Sequence, residues 1–130
     1  MRKTKKYLDL FFKISNFTII ILYLYPGSIT GWILYGNLKL QPQLTNDIFS
    51  ISSNHFYTFL ILSFIAIASY YNDTKKLNHI FLYLLFISII LELTHHLIPN
   101  RSFQYEDLIG NTTGVIISFI LIKFYEFIRR

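Results

Sequence analysis

A chain of 130 residues has room for one compact bundle and no separate catalytic domain. Hydrophobic residues make up 53% of it and charged residues only 15%, where a soluble domain carries nearer a quarter charged residues to keep its surface wet; the solvent of this protein is therefore lipid. Cysteine is absent, which excludes disulfides and thiolate metal sites, and the net charge of +5 comes with no nucleic-acid-binding pattern, so no nucleic-acid partner is expected.

A spanning helix takes roughly 20 predominantly apolar residues, and the chain offers four such segments, which together read as a single all-α membrane domain over residues 1–130. The first has its apolar centre at Ile14–Tyr25, too short alone, and is expected to extend upstream to give 7–25. Asp9 and Lys13 then lie four apart with the acid first, the better order for a helical pair, and Lys13 can snorkel its stem toward the headgroups. Pro26-Gly27 stops the helix; a helix kinked at Pro26 and continuing to Tyr35 is the alternative. The bulky Tyr23-Leu24-Tyr25-Pro26 offers no small-residue cleavage site, so the segment reads as a retained span and not as a secretory signal.

Residues 27–53 form an outer loop whose Trp32, Tyr35 and Phe49 suit the headgroup interface. The remaining spans are expected at 54–71, 77–98 and 109–127. Basic residues orient them. Arg2, Lys3, Lys5 and Lys6 precede the first span, Lys75 and Lys76 follow the second, and Lys123, Arg129 and Arg130 close the chain. The two opposite loops carry only Lys39 and Arg101 beside Asp47, Glu106 and Asp107. Positive residues mark the cytoplasmic side, so the expectation is a four-helix bundle in the inner membrane with both termini cytoplasmic.

That topology brings polar groups together at the outer face. His55 begins the second span, Glu92 and His95 fall near the end of the third with His96 beside them, Arg101 and Asp107 lie in the following loop, and Asn111 is one turn into the fourth. Glu92 shares a helix face with His95 and His96, three and four residues on. Ionisable groups at membrane depth are costly and are functional candidates by default. Plainer roles are open to several of them: Asp107 as a helix cap, Arg101 as a partner for Glu106 or lipid phosphate, His55 as an interfacial polar residue, Asn111 as an interhelical hydrogen bonder. Gly110 and Gly114 have the spacing of close helix contact, and His79, beside Lys75 and Lys76, reads as surface.

The ordered set Asn54-His55-Phe56-Tyr57, Glu92-Leu-Thr-His95, Pro99-Asn-Arg101-Ser-Phe and Asp107-Leu-Ile-Gly-Asn111-Thr-Thr-Gly114 resembles the VanZ-like family of small bacterial membrane proteins, over about residues 7–125. Two positions depart from the family pattern: His95 stands where Gln is usual, and Ser53-Asn54 where Asp-Lys often precedes the His. The resemblance implies a function like that of the founding member, which confers low-level resistance to the glycopeptide teicoplanin. The expected site is His55, Glu92, His95, Arg101, Asp107 and Asn111, binding or modifying an outer-leaflet amphiphile such as a cell-wall lipid or a glycopeptide. No catalytic residue, metal or cofactor is assigned. The alternatives are a metal-dependent or acid–base membrane enzyme, with Glu92-x-x-His95 as a chelating pair, and a structural subunit of a larger membrane complex or a homo-oligomer.

Overall fold

The computed structural model describes residues 2–43, 45–47 and 49–129; the side chains of Arg2 and Lys3, and Arg130, all part of the basic ends read above, lie outside the described residues. Five helices follow one another: α1 (Arg2–Leu24), α2 (Ile29–Tyr35), α3 (Ser53–Tyr70), α4 (Thr74–Thr94) and α5 (Tyr105–Ile128), with no strand among the described residues. Three stretches are long and apolar enough to cross a membrane: Thr4–Leu24 of α1, and α4 and α5 in full. The fifth helix is the short α2, inside the segment read from sequence as an interfacial loop.

The first helix reaches back through Asp9 and Lys13, whose side chains pair at 2.7 Å. It ends at Leu24, and Gly27 takes φ +109°, a value a side chain would oppose, so the chain turns here and does not run on as a kinked helix. Ser28 then caps α2 by accepting from the Gly31 N–H.

Helix α3 is the centre of the bundle, packing along α5 most extensively and also against α1 and α4. The core is built the way membrane helices pack, with small residues inside and large apolar ones outside. Ser63, Ser88 and Ser118 are fully buried, whereas Leu10, Phe17, Phe86, Ile120 and Phe124 project outward. At Gly114 an added Cβ would come within 2.5 Å of the Phe56 carbonyl oxygen, and at Gly110 within 2.6 Å of that of Ser52. The two glycines therefore seat α5 on the backbone of α3.

Antiparallel packing sorts the ends. The start of α1, the end of α3 and the start of α4 meet where Asp9 accepts a hydrogen bond from the Tyr70 hydroxyl and lies 3.8 Å from Lys76, and Ser69 Oγ donates to the Leu8 carbonyl. Lys75 and His79 share this end, His79 exposed and hydrogen-bonded to its own helix turn at Lys75 O. The histidine–carboxylate residues occupy the other end.

Replacing Gly114 by Val forces this contact apart. We expect a loss of about 1–3 kcal/mol, the usual cost of overpacking, read as a lower thermal unfolding temperature of the detergent-solubilised protein; Gly36→Ala, where a Cβ meets open space, serves as a control for strain away from the interface.

Candidate functional site

Each of the four long helices supplies a terminus. Tyr23 comes from the last turn of α1, His55 from the first turn of α3, Glu92 from the last turn of α4, and Asp107 and Asn111 from the first two turns of α5. Helix α4 ends at Thr94, so His95 is its C-cap and not an interior residue. Pro99 and Asn100 turn the following loop, with Asn100 at φ +61°, a left-handed value that Asn tolerates. The turn sends Arg101 back across the top of α1.

Glu92 is completely buried. Its Oε1 accepts from the Gln104 N–H at 3.2 Å and faces His95 Nδ1 at 3.2 Å. The other ring nitrogen of His95 donates to the Tyr23 carbonyl at 3.2 Å, and its ring stacks on that of Tyr23. Among the described residues Glu92 Oε2 has no hydrogen-bond partner, and it lies 3.9 Å from His55 Nδ1.

Around His55 the donors can be assigned. The Tyr23 hydroxyl donates its one hydrogen to Asn111 Oδ1 at 2.7 Å, so toward His55 Nδ1, 2.9 Å away, it can only accept. Asn111 Oδ1, an acceptor too, is 3.2 Å from the same nitrogen. His55 Nδ1 therefore carries a proton, and the opposite nitrogen, Nε2, faces Asp107 Oδ2 at 3.4 Å. Asn111 completes its bonding by donating to the Ser88 carbonyl at 3.5 Å. Asp107 is the third residue of α5 and turns into the bundle, while Gln104 holds the cap position.

Five of the six residues expected from sequence thus form one network: His55, Glu92, His95, Asp107 and Asn111. Arg101 stands apart from the carboxylates. Its Nη2 donates to Leu22 O at 2.9 Å and its Nε to Tyr25 O at 3.4 Å, so it caps the carbonyl end of α1, where a cation complements the helix dipole. Burial pulls its pKa below the ordinary arginine value, against the raising influence of Tyr23, Glu92 and Asp107. His96 lies outside the network, exposed and stacked on Phe103 with ring centroids 4.7 Å apart. Sequence reasoning missed Tyr23. It is one of ten tyrosines, in an apolar run, and its only signal is its depth, level with the other site residues just before Pro26.

The network borders a half-open cavity of about 430 Å³ between α1, α2, α3 and the loop after α2. Ile19, Leu22 and Ile61 supply apolar wall, and His55, His95 and Arg101 supply polar lining. Ligand pockets commonly have this size and this mixture.

Apolar helices with outward-facing Leu, Ile and Phe, joined at one end by buried carboxylates and imidazoles, define a small helical membrane protein with an internal polar site. The VanZ/LLP1 family model matches residues 17–126, and the chain belongs to that family. No curated protein and no solved structure matches it.

The adjacent histidines should respond oppositely to truncation. His95→Ala removes the ring that faces the buried Glu92 carboxylate and leaves the Tyr23 carbonyl without its donor, a loss of about 1–3 kcal/mol, the usual cost of a buried polar group left unmet. His96→Ala gives up only an exposed ring stack, under about 1.5 kcal/mol. Thermal unfolding of the two variants in the same detergent measures the difference.

Proposed function

We propose that the protein binds or modifies an outer-leaflet amphiphile, a cell-wall lipid or a lipid-tailed glycopeptide of the teicoplanin type. The observation that carries this reading is the cavity, lined by apolar Ile19, Leu22 and Ile61 together with polar His55, His95 and Arg101. An acyl chain fits the first surface and a headgroup the second. Arg101 uses two donor nitrogens on α1, and a guanidinium has five N–H donors in all, so it retains capacity for a phosphate or carboxylate oxygen.

In this reading α3 is the fourth span. Its polar start, Ser53-Asn54-His55, is carried among partners in the centre of the bundle instead of against lipid. Both termini are cytoplasmic, because Lys5, Lys6, Lys75, Lys76 and Lys123 gather at the end away from the site. The exposed Trp32, Ile33, Leu34 and Tyr35 of α2 then lie in the outer headgroup region. Docking to a larger complex through Gly110 and Gly114 loses its surface, since α3 of the same chain covers both.

Two experiments test the proposal. A fluorescent protein fused to the C-terminus should mature and fluoresce, whereas a periplasmic phosphatase in its place should be inactive; the reverse pattern overturns the topology. In a sensitive host at matched membrane levels, the wild type should lower teicoplanin susceptibility and Glu92→Gln should abolish the effect. Arg101→Ala should weaken it. Equal susceptibility with and without the wild-type protein would sink the glycopeptide reading, and equal protection by Glu92→Gln would remove Glu92 from the working site.

A further inference from the structure

We propose that His55, Glu92 and Asp107 form a binding site for a divalent transition-metal ion, with zinc as the favoured occupant. One ligand atom from each of the three lies within 4.8 Å of the other two. A tetrahedral set with bonds of about 2.0–2.1 Å needs its ligand atoms about 3.3 Å apart. The existing His55 Nε2–Asp107 Oδ2 separation of 3.4 Å already meets that figure; Glu92 Oε2 lies nearest the other ring nitrogen, 3.9 Å from Nδ1, and would move toward Nε2 to complete the set.

Three features of the donor set point to a cation. The first is the tautomer of His55. Tyr23 and Asn111 hold the proton on Nδ1 and so present the Nε2 lone pair to a carboxylate oxygen, two electron-rich atoms that repel unless something positive stands between them. Metal-binding histidines are oriented in this way, donating the second N–H to a hydrogen-bonded partner. The second is Glu92 Oε2, an oxygen of a fully buried carboxylate with no hydrogen bond among the described residues; leaving such an atom unmet is costly, and a coordination bond would meet it. The third is where the neighbouring donors go. Arg101 is drawn to the carbonyls of α1, and His95 faces Glu92 Oε1, not Oε2.

Imidazole with two carboxylates is a nitrogen–oxygen set suited to zinc, manganese or iron(II), and among these zinc has the strongest intrinsic affinity. Three protein ligands leave a coordination position open. His55 also lines the cavity, so the ion would sit beside whatever headgroup enters. The rival arrangement holds the same atoms together with protons alone, and metal binding distinguishes the two.

The experiment uses the wild-type protein in detergent, stripped with a chelator, incubated with zinc, desalted and assayed by elemental analysis. The expected result is about one zinc per chain with a raised thermal unfolding temperature. Loss of a partner that merely orients a ligand costs about 10–100-fold in affinity, so Asp107→Asn and Glu92→Gln should each weaken zinc by at least that much. His96→Ala should bind as the wild type does. Should either carboxamide variant fail to fold, cobalt(II) loaded into the wild type decides the matter by itself: the intense visible bands of a four- or five-coordinate ion are expected. Absence of both retained zinc and those bands overturns the proposal, as does undiminished zinc binding by both folded carboxamide variants. No amphiphile is present in these measurements, so their failure is separate from failure of the teicoplanin test.

Discussion

A carboxylate with no access to water has to be answered by protein groups, and much of one end of this bundle is organised around that requirement. Glu92 is fully buried in the last turn of α4. Desolvating a charge costs several kcal/mol even after relaxation, and the groups that meet this carboxylate come from its own helix end and from beyond it: the His95 ring three residues on, the Gln104 N–H, and the His55 ring farther off. Each responder is held in turn. His95 is braced against the α1 carbonyl of Tyr23, and His55 against the Tyr23 hydroxyl and Asn111. Removing one member therefore disturbs helices that do not contain it.

The network also depends on how closely two backbones approach. An added Cβ at Gly110 would come within 3.2 Å of the His55 Cβ. The same glycine that lets α5 settle on α3 thus lets the imidazole reach Asp107 and Asn111, one on each side of it in sequence. Packing and site construction are one event here. In lipid, where burying apolar surface between helices brings little gain, close packing and hydrogen bonds take over the work of association, and buried serines and glycines serve both needs.

The lipid-embedded character was legible because it is a property of averages: few charges, long apolar runs, and basic residues gathered at alternate ends. The VanZ-like motif was legible because its residues are polar where neighbours are oil, and the family match over residues 17–126 agrees with it. Less accessible were residues whose roles depend on direction. Adjacent His95 and His96 differ by one residue, yet one enters the network and the other stacks outside on Phe103, because α4 ends between Thr94 and His95 and the helical face they would have shared does not continue. Arg101 carries a charge suited to the carboxylates, but the turn at Pro99-Asn100 brings it to α1 instead.

The sequence by itself determined the medium, the helical class, the apolar segments and the family, all of which follow from composition and linear spacing. Only the tertiary structure decided which polar atoms meet. Tyr23 became the bridge between His55 and Asn111, His55 came to share one proton-bearing nitrogen with both, and one oxygen of Glu92 was left without a hydrogen bond among the described residues. These outcomes turn on ångström-scale approach between helices that are far apart in the chain, and such distances are fixed by packing, which no local pattern encodes.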